Sequence, residues 1–187
     1  HPVFVRYNKA IDIIEKVQTK KEAPLSSIVS SLNPFGLGSA ERGFEYPNSD
    51  NMIRLYSSKG VGYIGRSDVK CGIEYLDSYQ VMISKVTSEH AGEPNKDGMF
   101  KVVSKLQLLA PNEVCTFSYF LIGNFKEQLQ ANNAIKYIKT KFVRFLLLQC
   151  VSSINLSKDK FIFIPIQDFT QEWSDEKLYD KYRLTDE

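Results

Sequence analysis

The stretch Tyr79-Gln80-Val81-Met82-Ile83-Ser84-Lys85 predicts a strand, because an aromatic residue begins it and the apolar run Val81-Met82-Ile83, with two β-branched residues, lies at its centre. Two similar runs precede it and two follow it, so that we predict strands at residues 52–56, 61–66, 79–85, 100–106 and 114–122. Turn-forming residues separate them, such as Ser57-Ser58-Lys59-Gly60 and Glu93-Pro94-Asn95-Lys96-Asp97-Gly98. The sequence therefore predicts a β-rich core at residues 51–125 with mostly antiparallel strands.

Helical spacing of apolar residues appears on both sides of this core. Ile11, Ile14 and Val17 predict an amphipathic helix over residues 6–20, and Pro24 either ends it or opens a shorter one over 25–32. Residues 33–51 are rich in Gly, Asn, Pro and Ser and read as a long loop.

The C-terminal third carries the strongest helical pattern of the chain. An apolar stripe predicts one long helix over residues 129–152; its members are Ile135, Ile138, Phe142, Phe145 and Leu146. Residues 161–166 read as a strand closed by Pro165, and Ser174 is expected to cap a last short helix. The prediction is an α+β fold in one domain, residues 1–187: a helical lead-in (1–50), the β-rich core (51–125) and a helical end (126–187).

Composition and charge exclude several classes of protein. The chain is 43% hydrophobic and 25% charged, as in a folded globular domain, and it has no apolar stretch of the length that a membrane span needs. Its three cysteines form no C-x-x-C pair, which excludes a zinc ribbon and favours a reducing cytoplasm. Residues 1–166 carry 21 basic and 15 acidic side chains, whereas residues 167–187 carry three and seven. A moderately basic body is compatible with a polyanionic partner.

Three patterns resemble catalytic motifs without matching them. Asn33-Pro34-Phe35-Gly36-Leu37-Gly38 has the wrong spacing for a methyltransferase cofactor loop, and Gly36 cannot stack on a flipped adenine as the aromatic residue of N-P-P-Y does. Gly62-Tyr63-Ile64-Gly65-Arg66 is only the second half of a GIY-YIG nuclease signature. Asp68-Val69-Lys70 is not followed by the Glu-x-Lys of metal-dependent nucleases. We therefore predict no catalytic, cofactor-binding or metal-binding residue in this chain.

A family resemblance is densest over residues 137–182. Its segments are Tyr137-Ile138-Lys139-Thr140-Lys141-Phe142-Val143-Arg144-Phe145-Leu146, Phe163-Ile164-Pro165-Ile166-Gln167-Asp168-Phe169-Thr170 and Trp173-Ser174-Asp175-Glu176-Lys177-Leu178-Tyr179. This order resembles the C-terminal part of adenine-specific DNA methyltransferases from bacterial restriction–modification systems. Pro34-Phe35-Gly36-Leu37 and Tyr79–Lys85 fit the same family, whereas Arg183 stands where the family often has Gly.

The resemblance implies a target-recognition domain similar to the C-terminal specificity domain of TaqI-type methyltransferases. In that family a catalytic domain, which binds S-adenosylmethionine, precedes such a segment. The chain begins without Met and ends in a charged segment, so we expect it to be a piece of a larger protein. The partners implied are duplex DNA and the protein's own catalytic domain, and the compartment is the cytoplasm.

DNA recognition requires cations for the phosphates and polar side chains for the base edges. The sequence offers these cations and polar side chains in three places: the β-rich core with its Lys and Arg, a polar loop at residues 87–98, and the long helix. The expected contacts are Lys59, Arg66, Lys85, His90, Asn95, Lys96, Lys141 and Arg144. Two alternatives stay open: a nuclease built on residues 62–70, and a protein-docking module that uses the acidic segment 167–187.

Overall fold

The computed structural model describes residues 8–86, 102–103, 105–151 and 155–185, and shows an α+β fold. The strands are β1 Met52–Ser57, β2 Gly60–Gly65, β3 Tyr79–Ser84, β4 Leu106–Leu109, β5 Glu113–Cys115 and β6 Tyr119–Phe125. Within the described residues the α-helices are α1 Ile11–Gln18, α2 Gln128–Lys139, α3 Lys141–Cys150 and α4 Asp175–Tyr182. The strands form an outer sheet, ordered β2-β1-β5, and a central sheet, ordered β4-β3-β6.

The central sheet is buried on both of its faces. In β3, Val81 and Ile83 pack with the helices, whereas Met82 between them packs with the outer sheet. In β6, Phe120 faces the helices and Leu121 faces the outer sheet. Because a strand covered on both faces has no polar side, these two strands have continuous apolar runs. The fold therefore has three layers: helices, central sheet and outer sheet.

The outer sheet is buried on one face only. Its inward side chains, Ile53 and Leu55 of β1, Ile64 of β2 and Val114 of β5, belong to the core shared with the central sheet. β1 pairs with β2 as an antiparallel hairpin and with β5 in parallel, and both pairings in the central sheet are antiparallel. The prediction of mostly antiparallel strands is confirmed.

The single strand predicted at residues 114–122 is in fact two strands in different sheets. Between β5 and β6 the backbone N–H of Thr116 donates to Tyr56 O at 3.0 Å, and that of Phe117 donates to Leu37 O at 2.9 Å. These tertiary hydrogen bonds turn the chain from the outer sheet into the central one. Of the strand predicted at residues 100–106, residues 100, 101 and 104 lie outside the described residues. Residues 102, 103 and 105 are not in a strand, and Leu106 begins β4.

The long helix predicted over residues 129–152 was wrong as a single element, because it breaks at Thr140. Thr140 has extended backbone angles, φ −61° and ψ 155°, and its hydroxyl accepts a hydrogen bond from Val143 N. The carboxylate of Asp175 accepts the N–H groups of Lys141 and Phe142 at 3.0 and 2.9 Å. Thr140 and Asp175 thus satisfy three of the amides that a new helix start leaves unpaired.

The strand predicted at residues 161–166 is also wrong. A 3-10 helix, Lys158–Phe161, leads into an irregular segment that forms one isolated bridge, Pro24 with Pro165. Hydrogen bonds on either side of the bridge, Leu25 N to Ile164 O and Ile166 N to Ala23 O, hold the segment in place. Neither proline has an N–H to donate, so a longer ladder cannot form there.

The two N-terminal helices are shorter than predicted, and the final helix is as predicted. Of the helix expected over residues 6–20, residues 6 and 7 lie outside the described residues, a 3-10 turn covers Asn8–Ala10, and α1 covers Ile11–Gln18. In place of the helix expected over 25–32 there is a single 3-10 turn, Leu25–Ile28. Ser174 caps α4 through its hydroxyl, which accepts the Lys177 N–H at 3.4 Å. The segment 33–51 is a loop, as expected.

Candidate nucleic-acid interface

The outward face of the outer sheet carries Arg54 at its centre. Cross-strand pairing places Tyr63 of β2 on one side of Arg54 and Glu113 of β5 on the other, and Tyr56 opposite Val61 in the next outward row. Alternation along β1 gives this result, because Ile53 and Leu55 point inward and Arg54 between them points outward. The outward face therefore combines one guanidinium with two phenol rings.

Three donors converge on the carboxylate of Glu113. Arg54 Nη1 lies 3.0 Å and the Tyr56 hydroxyl 3.2 Å from its Oε1, and Ala110 N lies 2.9 Å from its Oε2. Burial raises the pKa of Tyr56, so its phenol keeps the proton that it donates. About half of the Arg54 side chain, 48%, stays exposed. Glu113 therefore orients Arg54, and Tyr56 and Tyr63, which also face the guanidinium, raise the pKa of Arg54 further.

Lys59 lies at the tip of the β1–β2 hairpin. The hydroxyl of Ser57 donates to Gly60 O at 3.0 Å and accepts Lys59 N at 3.3 Å, which holds the turn from inside. The ammonium of Lys59 is exposed and forms no hydrogen bond or ion pair with any residue that the structure describes. It is the predicted contact residue best placed to meet a phosphate.

A second exposed feature, which we call the aromatic loop (residues 39–50), lies against the edge of β2. Phe44 N donates to Tyr63 O at 2.8 Å, and Tyr63 N donates to Phe44 O at 2.9 Å. A β-carbon on Gly62 would lie 1.9 Å from Arg42 O, so this close approach requires glycine. The loop is thus fastened to the sheet, yet it leaves Phe44 58% and Tyr46 72% exposed.

Arg66 lies at the opposite end of β2 from Lys59. Its guanidinium donates to Asp77 Oδ1 at 2.9 Å and to Asn112 Oδ1. A strand of six residues spans about 20 Å, so Lys59 and Arg66 lie far apart. In this conformation the guanidinium of Arg66 is therefore engaged by Asp77 and Asn112.

Lys85 is not on the surface, contrary to its interpretation as a DNA contact. Only 9% of the residue is exposed, its ammonium donates to Leu32 O, and its Nζ lies 3.3 Å from the centre of the Phe117 ring. Burial lowers the pKa of Lys85. The loop that contains Leu32 covers the end of β3, so the structure gives Lys85 a packing role.

The helical candidates lie in a different layer from Arg54 and Lys59. Lys141 is exposed at the start of α3, and Arg144 is half-buried, with its Nε donating to Thr140 O at 3.3 Å. The central sheet separates α3 from the outer sheet. The structure therefore does not bring these residues together with Lys59; His90, Asn95 and Lys96 lie outside the described residues.

The residues that suggested a nuclease have structural roles. Gly62 gives room to the aromatic loop, and a β-carbon on Gly65 would lie 2.8 Å from Asp68 Oδ2. The Asp68 carboxylate accepts Gly65 N at 3.1 Å, and Lys70 Nζ donates to Ser67 O at 2.6 Å. Among the described residues, no three His, Cys, Asp or Glu side chains are grouped as metal ligands. These contacts explain the nuclease-like sequence pattern by the role of its residues in the turn that follows β2.

Several acids of segment 167–187 are used within the fold rather than offered to a partner. Asp175 caps α3, Glu172 pairs with Lys136 at 2.6 Å, and the Asp168 carboxylate accepts Thr170 N and its hydroxyl. The hydrogen bonds from Thr170 lower the pKa of Asp168. Glu172 and Asp175 are therefore engaged within the fold, whereas Asp168 keeps its negative charge on the surface.

Sequence reasoning missed Arg54, Tyr63, Phe44 and Tyr46 as candidate contacts. Arg54 had a usable signal, because a charged residue between Ile53 and Leu55 in a strand must lie on the exposed face. Phe44 and Tyr46 had none, since exposure of a loop aromatic depends on what packs over it.

Within the described ranges no helix has the length and apolar character to span a bilayer. Comparisons with models of protein families, with curated proteins and with solved structures find no match.

Proposed function

We propose that this chain is a duplex DNA recognition module of an adenine-specific DNA methyltransferase from a restriction–modification system. The observation that supports it best is the outward face of the outer sheet, where Arg54 is oriented by Glu113 and half exposed. Lys59 extends from the hairpin of the same sheet. The order of motifs over residues 137–182, which resembles that family, agrees with this reading.

The two cations suit different parts of recognition. Lys59 at a turn is a point charge for a backbone phosphate, which positions the protein without reading sequence. Arg54 has a planar guanidinium with five donors, of which Glu113 accepts one. Such a group can bind a guanine edge or a phosphate in bidentate fashion. Tyr63 beside it offers an apolar ring with a polar tip to the same ligand.

Chemistry would belong to a neighbouring catalytic domain in this proposal. That domain would bind S-adenosylmethionine and the extruded adenine, and the present chain would hold the duplex. We propose the cytoplasm as its compartment, because Cys71, Cys115 and Cys150 are all free thiols. Burial raises the pKa of Cys150 to about 11, which makes that thiol unreactive.

The experiment is a titration of the chain with duplex DNA at several salt concentrations. The logarithm of affinity should fall linearly with the logarithm of salt, and each lost phosphate contact should reduce the slope by about 0.9. Lys59→Gln should reduce the slope with all duplexes. Arg54→Gln should weaken binding by about tenfold or more, since a bidentate contact is worth about 1–3 kcal/mol. Lys126→Gln, an exposed lysine between β6 and α2, is the matched control.

Binding that is independent of salt, or that both variants leave unchanged, would contradict the proposal. A selective effect of Arg54→Gln on one sequence would assign it to base reading, whereas an equal effect on all sequences would assign it to the backbone.

The aromatic loop favours a second candidate, contact with a protein. Phe44 and Tyr46 are exposed on a fastened loop that also carries Glu41 and Glu45. Carboxylates beside exposed rings repel a phosphate backbone but suit a protein surface, where aromatic residues are enriched. The protein's own catalytic domain is the partner that we propose for this loop. Phe44→Ser with Tyr46→Ser should weaken that association and leave DNA binding of the isolated chain unchanged.

A further inference from the structure

A groove opens between the C-terminal ends of α1 and α4. It has a volume of about 420 Å³. Its lining residues are Lys16, Thr19, Lys20, Tyr182 and Arg183. Three of the five carry a positive charge, and no acidic residue is among them. This groove is therefore a concentration of cations that the DNA proposal does not use.

No carboxylate among the residues that the structure describes forms an ion pair with any of the three cations. Among the described residues, none forms a hydrogen bond or ion pair with the ammonium groups of Lys16 and Lys20 or with the guanidinium of Arg183. The nearby carboxylate of Glu22 is already engaged, because Lys181 Nζ lies 2.6 Å from its Oε1 and the Tyr182 hydroxyl donates to its Oε2. The positive charge of the groove is thus left for a ligand.

Arg183 has a backbone conformation that does not favour arginine. Its φ of 53° and ψ of 47° are left-handed, and it ends α4 with Arg183 N bonded to Asp180 O and Leu184 N bonded to Tyr179 O. Glycine suits such a helix end best, because a β-carbon is strained there. The helix dipole explains why cations are tolerated near the C-terminal ends of α1 and α4, but it does not require a cation at residue 183.

The groove is separate from the candidate DNA face. Val17 of α1 and Leu178 and Tyr182 of α4 belong to the core between the helices and the central sheet. The inward residues of the outer sheet belong to the other core. Two sheets therefore stand between the groove and Arg54, and a duplex lying on the outer sheet would not fill the groove.

We propose that this groove binds a phosphate group through Lys16, Lys20 and Arg183. Lysine supplies a point charge and arginine a pair of parallel donors, which together suit a tetrahedral anion. Tyr182 forms part of the wall, where its ring stacks on Phe142 at 5.0 Å and its hydroxyl is held by Glu22. The phosphate can belong to a free phosphate compound or to a nucleic-acid backbone, and the two sources are separable by experiment.

The experiment is a nuclear magnetic resonance titration of the 187-residue chain, followed at the backbone amides of residues 19–21 and 182–184. The probes are inorganic phosphate and a short DNA duplex, each added at constant ionic strength. The variants are Arg183→Gly and the double change Lys16→Gln with Lys20→Gln, and Lys126→Gln is the control. Arg183→Gly removes the side chain while relieving the backbone, so its melting temperature should not fall and lost binding cannot come from unfolding.

Saturable shifts at these amides, with affinity at least tenfold weaker in both groove variants and unchanged in Lys126→Gln, are expected. Such shifts with inorganic phosphate identify a free phosphate compound as a sufficient ligand. Shifts with the duplex alone, lost in the groove variants but kept in Arg54→Gln, identify a backbone phosphate and distinguish this site from the outer sheet. No saturable shift with either probe, or equal affinity in wild type and Arg183→Gly, would overturn the proposal.

Discussion

The carboxylate of Glu113 holds the guanidinium of Arg54, with Oε1 and Nη1 3.0 Å apart on neighbouring strands. The pair lies in the only parallel pairing among the described strands, β1 with β5. The Arg54 side chain is 48% exposed and that of Glu113 is 13% exposed. Glu113 therefore has two opposing effects: it orients Arg54, and it neutralises part of the charge available to DNA.

Glu113→Gln should strengthen DNA binding at low salt. The amide keeps an oxygen that can accept from Arg54 but removes the negative charge, so a phosphate no longer competes with a carboxylate. The salt slope should become steeper by about 0.9 if Arg54 gains one phosphate contact. The measurement is the duplex titration described above. Glu127→Gln, an exposed change of the same type before α2, is the control, and equal affinities in the two variants would refute the expectation.

Arg183→Gly should raise the free energy of unfolding by up to about 1 kcal/mol, because glycine adopts the left-handed conformation without strain. For a chain of this size that corresponds to an increase in melting temperature of about 2–4 °C. Thermal unfolding followed by circular dichroism measures it. Arg183→Ala removes the same side chain but keeps a β-carbon, and it should not gain. A gain in both variants would show that the backbone is not the cause.

Asp175→Ala should lower the free energy of unfolding by about 1–2 kcal/mol. The change leaves the N–H groups of Lys141 and Phe142 without their acceptor and removes an anion from the start of α3. Urea denaturation measures the loss. Asp180→Ala is a suitable comparison, since it removes one exposed carboxylate from α4, the helix that also contains Asp175. If the two variants were equally stable, the cap would contribute nothing.

Tyr137→Phe should cost about 1–3 kcal/mol of stability. The Tyr137 hydroxyl is buried and donates to Pro165 O at 2.7 Å, so its removal leaves a buried carbonyl unpaired. The loss should appear as a lower urea midpoint without a change in the denaturant slope. Tyr46→Phe, which removes a hydroxyl from an exposed ring, should have no effect. A Tyr137→Phe protein as stable as wild type would show that Pro165 O finds another donor.

Lys85→Met should change how stability depends on alkaline pH. Burial lowers the folded-state pKa of Lys85 below its unfolded value, so the charged form is penalised in the folded state. The penalty is fully present below the folded pKa and disappears as pH rises through it to the unfolded pKa near 10.5. Wild type should therefore gain stability relative to Lys85→Met as pH rises across that interval. Parallel pH profiles of the two proteins, measured by urea denaturation, would contradict this.

How far the sequence predicts the fold is clearest in the strands. The runs around Val81 and around Ile53 gave strands within one or two residues of β3 and β1, because apolar alternation and turn residues act locally. Ser174 was identifiable as a cap for the same reason. Lys85 was misplaced, because its burial depends on Leu32, more than 50 residues away along the chain. The break at Thr140 likewise depends on Asp175.

The candidate site was less predictable than the fold. Lys59 was found because a lysine in a hairpin turn is exposed whatever the rest of the chain does. Arg66 was expected to be available, but Asp77 and Asn112 occupy it through contacts that no sequence spacing indicates. The groove brings Lys16 and Lys20 next to Arg183 across more than 160 residues. Such a cluster exists only after folding brings the C-terminal ends of α1 and α4 to the same groove.

Hydrophobic periodicity, turns and caps depend on neighbouring residues, so the amino-acid order suffices to predict the α+β class, the hairpin of β1 and β2, the long loop before it and the start of the last helix. Long-range packing is needed to define which of two sheets each strand joins, where the long helix breaks, and which cations have no partner among the described residues. Those outcomes depend on burial and on hydrogen bonds between distant residues, which short-range patterns do not encode.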